Sequence, residues 1–225
     1  LTKINMKFSD IENNNKIFFY AGENFYEKWD EYKSKTNLNW IGIWKDMGSN
    51  IKTQNLGLIS TKNPAEKYNI KHDLTKKHNI HDNCVDIYQS EDVFEHIEYD
   101  LLENTINDIY RILKPGGLLR ISIPDYNQKS MIERCIKNKN GEIIFDPSGG
   151  GKYVNGKVID GGHVWFPTID NVKMLLEKTV FKNINYLSYY KNNNHYHTEI
   201  DFNLGYIKRS PEFSSKHSII IDLYK

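Results

Sequence analysis

The sequence predicts an α/β fold in which helices cover both faces of a doubly wound, mostly parallel sheet. Short apolar runs that end in turn residues alternate along the chain with segments of helical periodicity, a pattern typical of this class. The chain has 225 residues, of which 39% are hydrophobic, so one domain has enough apolar residues for a large core. The sequence contains no internal repeat.

The individual elements are predicted from local patterns. Apolar runs bounded by turn residues predict strands over 16–24, 39–44, 69–73, 84–90, 117–125 and 218–225. Apolar or aromatic residues that recur every three or four positions predict helices over 25–35, 91–113 and 171–181. Residues 45–64 contain several Gly and Asn and are predicted to be a loop.

The longest predicted helix, 91–113, is amphipathic. Its apolar face is predicted to include Ile97, Leu101, Ile109, Ile112 and Leu113. The sequence Lys-Pro-Gly-Gly at 114–117 follows at once and ends the helix, because proline and glycine do not continue it.

A long glycine-containing segment separates the last two predicted helices. Residues 137–168 include glycine clusters at 149–151 and 161–162. A segment of this length in a compact domain is often functional, so we interpret 137–168 as an excursion on the substrate side.

Composition and charge exclude several classes of protein. Thirty Lys and Arg against 29 Asp and Glu give a formal charge of +1, whereas proteins that bind duplex phosphate usually carry a larger positive excess. Nucleic acid is therefore not expected as a partner. No run of about 18 apolar residues exists, so no membrane span is predicted. Two distant cysteines, Cys84 and Cys135, exclude a disulfide framework and favour a cytoplasmic protein with reduced thiols.

The chain begins with Leu1 rather than Met, which fits a domain cut from a longer polypeptide. We therefore interpret residues 1–225 as a single domain of a multidomain protein.

Several polar or small residues fall at predicted strand ends. In a doubly wound sheet the ligand binds outside the carboxyl ends of the strands. Gly22, Asp73, residues 90–96 and Asp125 occupy such ends and are expected to line one crevice.

Residues 69–125 resemble the central half of class I S-adenosylmethionine-dependent methyltransferases, most of all those found beside glycan-biosynthesis enzymes. The resemblance is carried by four elements in order: Asp-Leu at 73–74, Ser-x-Asp-x-x-Glu-His at 90–96, Arg-x-Leu-Lys-Pro-Gly-Gly at 111–117 and Ile-Pro-Asp at 123–125. It implies a Rossmann-like sheet with an antiparallel C-terminal edge strand. It also implies S-adenosylmethionine as cofactor, a sugar or oligosaccharide acceptor, and a protein fused to or working with glycosyltransferases.

The same resemblance implies a set of cofactor-binding residues. Asp73 would lie near the adenine with Leu74 beside the ring, while Ser90 and Glu91 would line the methionine part of the cofactor. The alternative is that Asp73 only caps a turn.

The first glycine loop departs from the family pattern. It offers only Gly22 where the family has two or three glycines, and the next strand ends in Trp44 rather than in an acidic residue. Trp44 would then stack on the adenine, and Asp46 or Glu23 would make a polar contact. The alternative is a degenerate domain without catalytic activity.

A possible metal site is the second implication. If residues 91–113 form a helix, Asp92, Glu95 and His96 project from one side of it. His163 follows later, in a Gly-Gly-His stretch. Small-RNA 2′-O-methyltransferases have a similar Glu-x-x-Glu-His element together with a later histidine, and these residues bind a divalent cation. Ubiquinone-biosynthesis O-methyltransferases have a similar acidic-x-x-Glu-His element. The resemblance implies that these four residues bind Mg²⁺ or Mn²⁺. The alternative is that they make ordinary polar contacts at a helix start.

The predicted reaction is transfer of the sulfonium methyl to a sugar hydroxyl, as in carbohydrate O-methylation. A divalent cation would acidify and orient the acceptor diol. Without a cation, His96 or His163 would remove the proton, and Asp125 is a further candidate for that role. Two rival functions stay open: methylation of RNA ends and a cofactor-free binding domain.

Overall fold

The structure is a computed structural model, and it describes residues 2–5, 7–11, 17–22, 53–58, 66–205, 207, 209–211 and 217–225. The predicted helix 25–35 and the predicted strand 39–44 lie outside the described residues. Trp44 and Asp46, which we expected at the cofactor, lie outside them as well.

The strands in chain order are β1 Thr2–Asn5, β2 Phe18–Gly22, β3 Thr53–Leu58, β4 Glu66–Asp73, β5 Val85–Glu91, β6 Leu113–Pro124, β7 Ile136–Lys137, β8 Ile143–Phe145, β9 Lys152–Val154, β10 Lys157–Ile159, β11 Asn183–Lys191, β12 Asn194–His197 and β13 Ser218–Tyr224. Within the described residues, nine of them form one sheet in the order β1-β4-β3-β2-β5-β6-β13-β11-β12. The remaining four form two small hairpins, β7-β8 and β9-β10.

Most strands of the large sheet run in the same direction. β2, β5 and β6 are parallel neighbours, β1 is parallel to β4, and only β3, β12 and β13 run against the others. This mixed but mostly parallel sheet confirms the predicted Rossmann-like α/β class.

Two details of the sheet differ from the expectation. The C-terminal strand β13 is antiparallel, as predicted, but it lies between β6 and β11 rather than at the edge. The edge position is taken by β12, which forms a hairpin with β11. Residues 53–58, predicted as part of a loop, form β3, because they pair with strands on both sides.

Three α-helices lie in the described part of the chain: α1 Tyr99–Ile112, α2 Lys129–Glu133 and α3 Ile169–Glu177. The buried face of α1 includes Leu102, Ile106 and Ile109, whereas Leu101 is 38% exposed and does not belong to the apolar face predicted for it. Helix α3 begins at a capping box, in which Thr168 and Asn171 bond reciprocally to each other's backbone N–H groups.

The main core packs α1 and α3 against the sheet. It is built from aliphatic and aromatic side chains, among them Phe19, Tyr88, Ile106, Ile109, Leu119, Ile121, Val172, Leu176 and Leu223. No helix in the described ranges is long and apolar enough to cross a membrane. This packing leaves the carboxyl ends of β2, β4, β5 and β6 on one edge of the sheet, where the predicted site residues lie.

Candidate functional site

The segment between β5 and α1 is not part of an α-helix, contrary to the predicted helix 91–113. Asp92 has a positive φ of 55°, a 3-10 turn follows over Phe94–His96, and Ile97 is extended with φ −103° and ψ 135°. The α-helix begins only at Tyr99. Asp92, Glu95 and His96 therefore do not share the face of an α-helix.

Hydrogen bonds to a distant segment explain this interruption. In an α-helix the carbonyls of Phe94 and Glu95 would accept the N–H groups four residues later. Here the Phe94 carbonyl accepts the indole N–H of Trp165 at 2.8 Å, and the Glu95 carbonyl accepts the backbone N–H of Val164 at 2.9 Å. These bonds place the neighbour of Val164, His163, beside Glu95.

Glu95, His96 and His163 form a buried cluster at this junction. Their potential ligand atoms all lie within 4.8 Å of one another. Oε1 of Glu95 is 3.7 Å from Nε2 of His163 and 3.9 Å from Nε2 of His96, and the two imidazole centroids are 4.8 Å apart. The Glu95 side chain is fully buried, and the two imidazoles are less than a tenth exposed.

Asp92 is not part of this cluster. Its carboxylate lies 3.1 Å from the guanidinium of Arg209. The structure thus brings together three of the four residues expected to bind a cation, because the left-handed backbone at Asp92 breaks the helical spacing on which the expectation depended.

The two glycine clusters of the excursion pack against each other and against His163. An added Cβ at Gly149 would lie 2.7 Å from Cγ of the His163 ring, so only glycine leaves room for the imidazole here. An added Cβ at Gly151 would lie 2.3 Å from the backbone nitrogen of Gly162. The carbonyl of Gly162 in turn accepts a hydrogen bond from Nδ1 of His96 at 3.2 Å. The glycines therefore allow the close backbone contacts that bring both imidazoles to Glu95.

Replacement of Gly151 with alanine is expected to destabilise the protein by at least about 2 kcal/mol more than replacement of Gly156, because of backbone overlap. Both residues have positive φ, +70° and +81°, but an added Cβ at Gly156 meets no atom within 4 Å. Gly156→Ala therefore carries only the backbone strain of about 1–2 kcal/mol. Urea unfolding of the two variants measures the difference, and equal losses would show that the glycine clusters do not need their close contact.

A second set of side chains surrounds His163. Nδ1 of His163 is hydrogen-bonded to the Tyr126 hydroxyl, which donates to the Asp146 carboxylate at 2.6 Å. Asp146 also accepts from Nε of Arg134 at 3.0 Å. No sequence motif includes Tyr126, Arg134 and Asp146, which are separated along the chain and brought together only by the fold.

Burial shifts the protonation of these groups. Desolvation, with the neighbouring His96 as a second cause, lowers the pKa of His163 to about 3, so this imidazole is neutral at neutral pH. Burial and the Asp146 carboxylate raise the pKa of Tyr126 far above its ordinary value. Burial opposes ionisation of Asp146, but the hydrogen bonds from Arg134 and Tyr126 outweigh it and lower the pKa of that carboxyl.

The carboxyl ends of β2 and β5 meet at the expected crevice. Gly22 pairs with Glu91, and Ala21 pairs with Ser90, in parallel register. Glu91 is buried and accepts a hydrogen bond from the Tyr20 hydroxyl at 3.0 Å. An added Cβ at Gly22 would lie 2.8 Å from the Glu91 carbonyl oxygen, so this strand end tolerates only glycine.

The two residues expected at the adenine have structural roles of their own. Oδ1 of Asp73 accepts hydrogen bonds from the backbone N–H of Thr75 at 3.0 Å and from its hydroxyl at 2.7 Å, which is the turn cap considered as the alternative. Leu74 is fully buried in the main core. Both hydrogen bonds from Thr75 go to Oδ1 of Asp73, and neither goes to Oδ2.

Asp125 joins two strands. Its Oδ2 accepts the backbone N–H of Tyr190 at 2.6 Å, and its Oδ1 accepts the N–H of Asn127 at 2.9 Å. The side chain is fully buried. Both oxygens are therefore engaged with the backbone, which favours a structural role over the general-base role considered from the sequence.

Asp125 makes stability depend on pH. Burial raises its pKa to about 6, although the hydrogen bonds from Tyr190 and Asn127 oppose the shift. The folded state then binds this proton more tightly than the unfolded state, whose carboxyl has a pKa of about 3.9. The contribution of Asp125 to stability is highest below pH 4 and falls by about 3 kcal/mol as the pH rises through 6.

Asp125→Asn is expected to remove this pH-dependent loss, because the amide does not ionise. A weaker hydrogen bond in the variant would lower the free energy of unfolding by the same amount at every pH, so it would not change the slope. Urea unfolding at pH 4 and pH 7 measures the free energy of each protein. The same pH slope in both proteins would contradict the assignment of the slope to Asp125.

Comparison with known proteins concerns the site at the carboxyl ends of β4 and β5. The family model described as a methyltransferase domain matches residues 42–121. The match includes the ends of β4 and β5 together with Glu95 and His96. Over these residues, about a third of the chain, the sequence is similar to methyltransferase domains. The match supports S-adenosylmethionine as methyl donor, and His163 lies beyond the matched residues.

The solved structures that align with this chain include S-adenosylmethionine-dependent methyltransferases. An S-adenosylmethionine-dependent methyltransferase from Methanosarcina mazei aligns with a TM-score of 0.49 and 11% identity over 96% of this chain and 95% of that chain. One from Mesorhizobium loti aligns with a TM-score of 0.44 and 13% identity over 96% and 94%. At these values the similarities carry no information on the acceptor.

Haemonchus contortus phosphoethanolamine N-methyltransferase 2, solved in complex with S-adenosyl-L-methionine, aligns with a TM-score of 0.34 and 19% identity over 56% of this chain. The chain spans only 24% of the length of that enzyme. No curated protein matches the chain in sequence.

Proposed function

We propose that this methyltransferase domain transfers the methyl group of S-adenosylmethionine to a sugar hydroxyl, and that Glu95, His96 and His163 bind a divalent cation that orients the acceptor. The observation that carries the proposal is the buried cluster of one carboxylate and two imidazoles beside the strand ends of the domain. The acceptor would belong to a glycan or sugar conjugate made by partner glycosyltransferases.

The chemistry of the three side chains fits a cation. Ligand atoms bound to one ion at about 2.0–2.2 Å stand roughly 3–3.5 Å apart. The separations of 3.7 and 3.9 Å between Glu95 and the two imidazoles are close to that spacing. Two nitrogen donors and one carboxylate suit Mn²⁺ better than Mg²⁺, which prefers an all-oxygen shell.

The cofactor fits the edge formed by β2 and β5. The Ser90 hydroxyl is buried there and has no hydrogen-bond partner among the described residues, so it is available to a polar ligand. Glycine at position 22 lets the chain pass close to the Glu91 backbone. Ser90, Glu91 and Gly22 would therefore hold the methionine part of S-adenosylmethionine, and Oδ2 of Asp73 would take a polar contact from its adenosine.

The protein's own residues would position the reactants. The cofactor would supply the methyl group and leave as S-adenosylhomocysteine. The divalent cation would act as a Lewis acid on the acceptor hydroxyl, which would lose its proton to water as the new C–O bond forms. Glu95 provides negative charge, and Nε2 of each imidazole provides a lone pair, to hold the cation at a fixed point. The surrounding buried side chains keep bulk water out of the cluster, which strengthens these electrostatic interactions. Since a hydroxyl needs acidification far more than an amine does, the cluster favours O-methyl over N-methyl transfer.

Methyl transfer from labelled S-adenosylmethionine tests the proposal. The purified chain is incubated with Mn²⁺ and a panel of methyl glycosides that carry or lack a vicinal diol, with phosphoethanolamine as an amine acceptor. We expect label in diol-bearing sugars, a loss of transfer on addition of a chelator, and recovery with Mn²⁺.

Binding measurements separate the possible failures. S-adenosylmethionine at about 100 times its dissociation constant should stabilise the protein by about 2.7 kcal/mol in a thermal unfolding assay. An absence of stabilisation would indicate a binding domain without cofactor. Transfer to the amine alone, or transfer that is unaffected by chelator, would overturn the O-methyl and cation assignments.

A further inference from the structure

The hydrogen bonds behind His163 have a definite direction. Arg134 donates two hydrogen bonds to Asp146 from Nε and Nη2, so Asp146 is an ion-paired acceptor. The single proton of the Tyr126 hydroxyl is donated to the same carboxylate at 2.6 Å. The Tyr126 oxygen can then only accept from Nδ1 of His163.

This direction fixes the tautomer of the imidazole. A neutral histidine carries its proton on one ring nitrogen and a lone pair on the other. If Nδ1 of His163 donates to Tyr126, the lone pair is on Nε2, the atom 3.7 Å from the Glu95 carboxylate. The opposite tautomer would place an N–H, rather than a lone pair, at the cluster.

We propose that Tyr126 and Asp146 are positioning residues that hold His163 as the Nδ1–H tautomer with its Nε2 lone pair directed at Glu95 and His96. This inference rests on the proposed cation site, because a ligand imidazole must present a lone pair. Tyr126 and Asp146 act only through His163, and Arg134 keeps Asp146 an acceptor.

Burial and packing make the arrangement stiff. Tyr126 and Asp146 are both fully or almost fully buried, with exposures of 2% and 0%. Asp146 also accepts the backbone N–H of Ser148 at 2.9 Å, which anchors it at the start of the turn that carries Gly149. Gly149 packs on the face of the His163 ring, so the ring is held from its face as well as through its nitrogen.

The matched experiment compares Tyr126→Phe with Tyr99→Phe. Both changes remove one hydroxyl and keep the ring, but the Tyr99 hydroxyl donates to the backbone carbonyl of Asn171 at 3.1 Å and does not contact His163. Two-bond ¹H–¹⁵N correlation spectra of the histidine rings report the tautomer directly in the protein without metal. Titration of each protein with Mn²⁺ then measures the dissociation constant of the metal.

We expect His163 to be the Nδ1–H tautomer in the wild-type protein and in Tyr99→Phe, and to show the Nε2–H form in Tyr126→Phe. The Mn²⁺ dissociation constant should rise about 10- to 100-fold in Tyr126→Phe only, which is the usual effect of losing such an outer partner. Asp146→Asn should act in the same direction, because an amide that donates to the Tyr126 oxygen frees the phenol proton for Nδ1.

The experiment separates the positioning role of Tyr126 from the proposed cation site, because each is contradicted by a different result. An Nε2–H tautomer in the wild-type protein, or an unchanged tautomer in Tyr126→Phe, contradicts the positioning role. A correct tautomer together with no Mn²⁺ binding by the wild-type protein contradicts the proposed cation site and leaves the positioning of His163 established. A raised Mn²⁺ dissociation constant in Tyr99→Phe as well would show a general loss of packing instead of a specific effect.

Discussion

Glu95→Gln is expected to lower methyl transfer by at least about 100-fold and to raise the Mn²⁺ dissociation constant by at least as much, since losing a direct ligand exceeds the 10- to 100-fold cost of losing an outer partner. The amide has the shape of the carboxylate but no negative charge, so it cannot offset the charge of a divalent ion. Glu95 is fully buried and is the carboxylate of the three-residue cluster. The nearby Asp146 faces Nδ1 of His163 and is already paired with Arg134.

The affinity for S-adenosylmethionine should be unchanged in Glu95→Gln, because Glu95 would serve the acceptor and not the cofactor. Glu103→Gln is the matched control: it makes the same chemical change on helix α1 and should leave both metal affinity and transfer as in the wild-type protein. Isothermal titration measures the affinities for Mn²⁺ and for S-adenosylmethionine, and the labelled-methyl assay measures the rate of transfer. Full transfer by Glu95→Gln would remove the cation from the mechanism.

Arg120→Met is expected to cost about 3–5 kcal/mol in the free energy of unfolding. Arg120 is fully buried at the centre of the sheet. Its guanidinium makes two 2.7 Å bonds to the Asp222 carboxylate on the neighbouring strand β13, and it also donates to the carbonyls of Asp201 and Gly205. Methionine would leave the Asp222 charge buried without its partner.

Two further variants identify the cause of that loss. Lys114→Met removes a cation from a bond of the same kind, 2.8 Å to Asp86, but both side chains are partly exposed, so the loss should stay within about 1 kcal/mol. The double variant Arg120→Met with Asp222→Leu replaces the pair by apolar side chains and should recover much of the stability. Urea unfolding measures all three, and a double variant no more stable than Arg120→Met would show that the bonds to Asp201 and Gly205 dominate.

Much of the fold is determined by local sequence patterns. The apolar runs at 84–90, 117–125 and 218–225 predicted β5, β6 and β13 to within a few residues, because strands buried on both faces are rich in apolar side chains. The alternation of these runs with helical segments predicted the α/β class. The strand β3 was missed because its sequence, Thr-Gln-Asn-Leu-Gly-Leu, is polar and becomes a strand only by pairing with both neighbours.

The structure brings together three of the four residues expected to bind a cation, Glu95, His96 and His163. The resemblance to known methyltransferases implies these three residues, but not the way in which they meet. The expectation for Asp92 requires an α-helix that the structure does not have. The hydrogen bonds from Val164 and Trp165 to the carbonyls of residues 95 and 94 replace that helix, and no local pattern predicts bonds between segments about 70 residues apart.

By itself, then, the sequence determined the fold class and the approximate ends of several strands, since these depend on periodicity and residue type. Its resemblance to known methyltransferases implied the three side chains that cluster. Only the tertiary structure decided the geometry: the late start of helix α1, the pairing of Asp92 with Arg209, the turn-capping role of Asp73 and the network from Arg134 to His163. The physical reason is that each of these is a contact between distant segments, whose free energy exceeds the local preference of either segment alone.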